Sequence, residues 1–120
     1  MSRPRAGSIV LVDWRSGSLP HEPTKIRPAV VVEDHDLFPS AYPNTIVVPL
    51  TRDERLAHAE FSERIVDSDT NGAAAVSWAL AHHVTSVSLS RVRSTRSRVT
   101  AEQLANIRRS IAVAIGAIPI

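Results

Sequence analysis

His21–Val32 reads HEPTKIRPAVVV. Its first half is polar and broken by proline; its second half ends in four small apolar residues, Ala29 to Val32, with no polar interruption. A continuous apolar run too short for a helix predicts a strand buried on both faces, here Pro28–Val32. Pro28 fixes its own φ and pushes Arg27 toward extended geometry. A permanently charged guanidinium is therefore held stiffly at the threshold of a buried strand. Either it closes a solvated loop, or it is there to hold an anion.

Working outward, Ser8–Trp14 (SIVLVDW) is short and β-branched and predicts a strand before this one. RSGSLPHEPTK between them has no apolar period and is a loop. EDHDLFPSAYPN is a second loop, punctuated by Pro39 and Pro43. Thr45–Leu50 (TIVVPL) predicts a third strand, which should end or reach an edge at Pro49 because proline cannot donate to a ladder. Thr51–His58 is charged and irregular. Ala59–Val66 alternates in part and predicts a strand, and Asn71-Gly72 predicts a tight turn. Ala73–Val87 reads as one or two strands, although its alanines also suit a helix.

The C-terminal part is patterned differently. Thr100-Ala-Glu-Gln103 has the form of a capping box, in which Thr100 and Gln103 each satisfy the other's backbone N–H. Leu104, Ile107, Ile111 and Ile115 follow at spacings of three and four, giving one apolar helix face. Gly116 is placed to stop the helix. The expected fold is α+β but mainly β: a single domain, 1–120, with a strongly curved antiparallel sheet or small barrel and a C-terminal helix.

Composition narrows the function. No run approaches the roughly 20 apolar residues of a membrane span, and the basic N-terminal stretch has too short an apolar run for a signal peptide. Cysteine is absent, which excludes disulfides and thiolate metal sites and fits a reducing cytoplasm. Net charge is only +2, yet the pI is about 9.9, because Lys25 is the only lysine beside thirteen arginines. RVRSTRSR, Arg91–Arg98, carries four arginines and no acid. Arginine forks suit phosphate and carboxylate, so the cluster points to a polyanionic partner or to a solvated basic loop.

The landmarks, taken in order, resemble the MazF/PemK (Kid) family of type II toxin–antitoxin ribonucleases. They are AGSIVLVDW at Ala6–Trp14, His21-Glu22, RPAVVVED at Arg27–Asp34, and IVVPLTRD at Ile46–Asp53. LAHHVTSV follows at Leu80–Val87, then RVTAEQLANI from Arg98 and IAVAIGA from Ile111. The resemblance implies an SH3-like barrel of twisted antiparallel strands with a C-terminal helix. It implies a homodimer acting in the cytoplasm, and a cognate antitoxin whose acidic C-terminal segment competes with RNA for one basic groove. It also implies cleavage of single-stranded RNA, such as mRNA, without a metal or other cofactor: a 2′-hydroxyl attacks the adjacent phosphate and leaves a cyclic phosphate.

That chemistry needs a base for the 2′-hydroxyl, donors for the phosphorane oxygens and an acid for the leaving oxygen. The resemblance makes Arg27 the phosphate-binding fork; the alternative is a structural ion pair with Glu22 or an aspartate. Thr51 matches the threonine that donates to the phosphate; the alternative is a turn cap. Glu22 either accepts the 2′-hydroxyl proton or positions Arg27, and His21 is either a proton carrier or an exposed loop side chain. Many relatives carry Cys-Asp-Gln where this chain has Ala81-His82-His83, and Leu80 stands where some have a charged residue. Either His82 replaces the missing Asp as acid or base, or catalysis is weakened. On a strand, His82 and His83 would point to opposite faces and could not share a metal ion. Lys25, Arg52, His83, Arg91 and Arg93 are the candidate RNA contacts, and Arg91 and Arg93 share a face if the strand continues. Trp78 reads more readily as core or dimer interface than as a base-stacking platform. Loss of the Asp keeps two other readings open: a non-enzymatic toxin resembling the CcdB gyrase poisons, or an RNA-binding barrel without activity.

Overall fold

A computed structural model describes residues 3–14, 26–58, 60–65 and 76–120. Among the described residues seven strands precede one helix: β1 (Ser8–Asp13), β2 (Ile26–Val31), β3 (Asn44–Thr51), β4 (Ser62–Ile65), β5 (Ser77–Leu80), β6 (Thr85–Ser88), β7 (Val92–Arg98) and α1 (Ala101–Ala114). The order across the sheet is β4-β5-β3-β2-β1-β7, with β6 also paired to β3, and every pairing is antiparallel. The expected plan of a mainly β, curved antiparallel sheet followed by a helix is what forms. The boundaries of the first four expected strands shift by no more than three residues. The expected Asn71-Gly72 turn lies outside the described residues.

β3 organises the sheet. One of its edges pairs with β2 through Val47–Pro49. The other takes β6 along Asn44–Val47 and then β5 along Leu50–Thr51. Pro49 is therefore not at a strand end, as its missing N–H suggested. It sits where the partner changes from β6 to β5, a gap in that ladder that a residue without a donor tolerates.

Strand alternation sorts the apolar residues into two layers. Ile9, Val30, Val32, Val48 and Leu50 face one side together with Ile65 and Ala79, and the helix closes over them with Ile107, Leu104 and Ile111. Val10, Val12, Ala29, Val31, Val47 and Val87 face the other side, with Trp14 and Val92 against them. Ile107 is fully buried, which is worth about 1.5–3 kcal/mol of transfer free energy. Ile115 departs from the expected helix face: it is the C-cap, with φ −95° and ψ 3°, and is 70% exposed. The helix has already ended there, so its i, i+4 spacing no longer places it on the apolar stripe.

The capping box forms as expected. Thr100 Oγ1 accepts from Gln103 N at 3.1 Å, and Thr100 N donates to Gln103 Oε1 at 2.8 Å. Gly116 takes the positive φ, +78°, of a helix stop. The helix is also fastened to the end of β2. Arg108 Nε donates to Val32 O and Arg108 Nη2 to Glu33 O, each at 2.9 Å. β7 had no apolar period to announce it; it is a polar strand held to β1 along one side.

Candidate active site

Arg27 lies opposite Val12 across the β1–β2 ladder. On its other side, β2 pairs with β3 as Ala29↔Pro49 and Val31↔Val47. That ladder ends at Ala29↔Pro49, two residues short of Arg27 and Thr51; carried on, its register would set Arg27 opposite Thr51 on the same face. Opposed residues in an antiparallel pair have Cβ atoms about 5 Å apart. Both side chains are half-buried, so each is anchored and still open to a ligand. The two residues singled out for phosphate binding thus lie at the same end of the sheet. They share the face away from α1, since Leu50 and Val30 point into the helix-covered layer.

Thr51 Oγ1 accepts from Asp53 N at 3.1 Å, so the hydroxyl does cap a turn. Its proton remains available to a phosphate oxygen, because a hydroxyl accepts and donates at once. Asp53 in turn accepts from Arg55 N at 3.0 Å and grips the Arg55 guanidinium through both oxygens, each at 2.9 Å. That grip holds the Asp53 carboxyl below its ordinary range. Asp53 is thereby engaged with Arg55 and shapes the chain after Thr51. Arg52 beside it is exposed.

His82 and His83 do not lie on a strand. They form, with Ala81, a single 3-10 turn, and both are exposed. The reason is a register shift along β3. From Leu50↔Ala79 to Val47↔Thr85, β3 advances three residues while its partner advances six. The three surplus residues must leave the ladder, and the turn absorbs them. The two rings consequently touch, centroid to centroid 4.4 Å, instead of pointing to opposite faces. His82 also meets Phe61 at 5.6 Å and His58 at 6.5 Å. It lies four residues beyond Trp78, the partner of Thr51, hence about 10 Å along the chain direction from that row. Within one chain, His82 is not beside Arg27 and Thr51. Among the described residues no three His, Asp or Glu side chains form a group able to hold a metal ion.

Burial holds the His82 pKa below its ordinary value of 6.5, and the neighbouring His83 and His58 add to the effect; a hydrogen bond with the Phe61 backbone opposes it. Neutral His82 can accept a proton at pH 7 and makes a poor donor. We expect its imidazole resonance to titrate below 6.5 in NMR, with His82 distinguished by its Gln variant. The folded state binds this proton more weakly than the unfolded chain. Stability contributed by His82 is therefore intact above 6.5 and declines as pH falls from 6.5 through the lower folded value. A titration at or above 6.5 would contradict this placement.

Arg91 and Arg93 also differ from expectation. Arg91 belongs to the 3-10 turn Leu89–Arg91 and Arg93 to β7, so no common strand carries them. Arg93 is the partner of Leu11, one residue out of phase with the Val12↔Arg27 pair, and so points to the opposite side of the sheet. With Asp13 and Ile26 they line a shallow cavity of about 160 Å³ there. His21, Glu22 and Lys25 lie outside the described residues. Sequence reasoning missed Arg64 altogether: it pairs with Trp78, which pairs with Thr51, so all three occupy one row across the sheet. No local pattern reveals this, because the row exists only through strand register.

Residues 5–115 match the family model for the PemK-like, MazF-like toxin of type II toxin–antitoxin systems. The chain belongs to this family. Solved structures agree in fold. An endoribonuclease in complex with its cognate antitoxin, from a mycobacterial species, superposes with a TM-score of 0.75 at 15% identity, over 98% of this chain and 100% of that one. MazF from Deinococcus radiodurans gives 0.70 at 23% identity, covering 94% and 96%. The Mycobacterium tuberculosis toxin MazF-mt6 gives 0.68 at 15% identity, covering 91% and 96%. Comparison with curated protein sequences gives no match. Among the described residues no helix of this MazF-like toxin is long and apolar enough to cross a membrane.

Proposed function

We propose that this MazF-like toxin is an endoribonuclease that cuts single-stranded RNA in the cytoplasm without a metal, and so arrests translation. The observation that carries the reading is that Arg27 and Thr51, both half-buried, lie at one end of the sheet on the face away from α1. The endoribonuclease activity of fold relatives supports it. In the reaction, the 2′-oxygen forms a bond to the adjacent phosphorus and the bond from phosphorus to the 5′-oxygen breaks. A base takes the 2′-hydroxyl proton and an acid returns one to the leaving oxygen. Arg27 presents two parallel donors to the equatorial oxygens as charge gathers there, while the Thr51 hydroxyl donates to a third site. Acid and base are drawn from His21 and Glu22, and from His82 across the homodimer, since within one chain His82 is not beside Arg27 and Thr51.

The toxin acts as a homodimer of single-domain 1–120 chains. It is held inactive by an antitoxin whose acidic segment competes with RNA for the same basic surface, as charge complementarity favours. Lys25, Arg52, His83, Arg91 and Arg93 contact the RNA. The test is end-group analysis of a long RNA incubated with the purified protein in excess chelator. Cleavage leaving a 2′,3′-cyclic phosphate and a 5′-hydroxyl is expected. A 5′-phosphate product, or activity that disappears with the chelator, would overturn the mechanism.

A further inference from the structure

Thr51 is the start of a row that runs on across the sheet, away from Arg27. Trp78 is its next member and Arg64 the one after. Their sequence neighbours Ala79 and Ile65 point into the layer beneath the helix, so by alternation Trp78 and Arg64 present to the same face as Thr51, away from α1. The two tryptophans of the chain are not equivalent. Trp14 packs against the valine layer. Trp78 belongs to neither apolar cluster among the described residues. It is half-buried, makes no ring–ring contact there, and its indole nitrogen is not among the buried polar atoms left without a partner. Trp78 is thus set apart from both apolar layers, with the exposed Arg64 guanidinium beyond it in the row.

We infer that Trp78 is a stacking platform for one nucleobase of the RNA and a specificity-determining residue of the proposed site. It sits one strand spacing, about 5 Å, from Thr51 and about 10 Å from Arg27. A phosphate held between Arg27 and Thr51 therefore places an adjoining base over the indole face, and Arg64 meets the next phosphate. Aromatic stacking tolerates any base but rewards an unpaired one, because a paired base cannot lie flat on the ring. The inference rests on the RNA reading above and names the feature that selects single strands.

The probe is the shortest RNA that the wild-type protein cuts, made uncleavable by a 2′-deoxy substitution at the cleaved nucleotide; if none is cut, a random pool of RNA 12-mers replaces it for the binding measurements. Binding to wild type, Trp78→Leu and Trp78→Tyr is measured, and repeated on probes, or on members selected from the pool, carrying one abasic position each. Trp78→Leu should weaken binding about tenfold, Trp78→Tyr about twofold, and the Leu penalty should vanish on the probe abasic at one position. Circular dichroism and the oligomeric state should be unchanged. If cleavage occurs but Trp78→Leu binds as wild type, or its penalty is the same on every abasic probe, the platform is refuted and the nuclease reading survives. A changed oligomeric state in Trp78→Leu also refutes it, as an interface residue. Base-dependent binding without cleavage supports the platform and refutes the nuclease; neither binding nor cleavage refutes both.

Discussion

Replacing Arg27 by methionine is expected to lower the rate of RNA cleavage by about a hundredfold to a thousandfold, the cost of removing one preorganised donor aimed at developing charge. Methionine keeps the aliphatic stem that leaves Arg27 half-buried beside Val12, so the sheet should persist and thermal unfolding should change little. Lysine should recover only part of the rate. It restores the charge without the planar fork, and the fork is what grips two oxygens at once. The measurement is single-turnover cleavage of a short RNA. Wild-type cleavage by the methionine variant would remove Arg27 from the reaction and leave Thr51 without its partner.

The second large effect concerns stability. Glu33 is 4% exposed. Its carboxylate accepts from Arg3 Nη2 and from Ile46 N, the latter at 3.1 Å. Arg3, itself buried, reaches the Tyr42 and Asn44 carbonyls and lies over the Phe38 and Tyr42 rings. Glu33 thus ties the N-terminal arm to the long connection before β3, and its backbone carbonyl receives Arg108 from the helix. Removing the carboxylate strands a buried guanidinium and a backbone N–H. Glu33→Ala should cost about 3–5 kcal/mol, a large part of the 5–15 kcal/mol typical of a domain. Urea unfolding measures it. The double variant Arg3→Met, Glu33→Met should be markedly more stable than Glu33→Ala, since no unpaired charge remains. Equal losses in the two proteins would show that packing, not the ion pair, sets the effect.

Much of this was visible before any coordinates. β1, β2 and β3 announce themselves through β-branched runs, and α1 through its three–four spacing and the Thr100–Gln103 box, because these features are local. Arg27 and Thr51 were found through motif resemblance, and only the strand register shows them to be neighbours. What stayed hidden depended on distant pairing. β7 exposes nearly all of its length, so selection for burial left no period to read. His82-His83 looked like strand because nothing in Ala73–Val87 marks how many residues the ladder on β3 can accommodate. Ile115 fits the helical stripe by number alone and falls just past the last turn. Trp78 looked like core because large apolar residues mostly are; its place beside Thr51 follows from a register that joins residues 27 apart in the chain.

The surplus residues at Ala81–His83 have a consequence for how such a scaffold can diversify. Shortening that turn by a single residue would rotate β6 by half a pleat and eject Val87 from its layer, so the count of residues is fixed. The identity of the pair is less constrained, since both side chains are exposed. Positions 82 and 83 are thus interchangeable fittings on a rigid mount, where new chemistry can be tried without putting the architecture at risk.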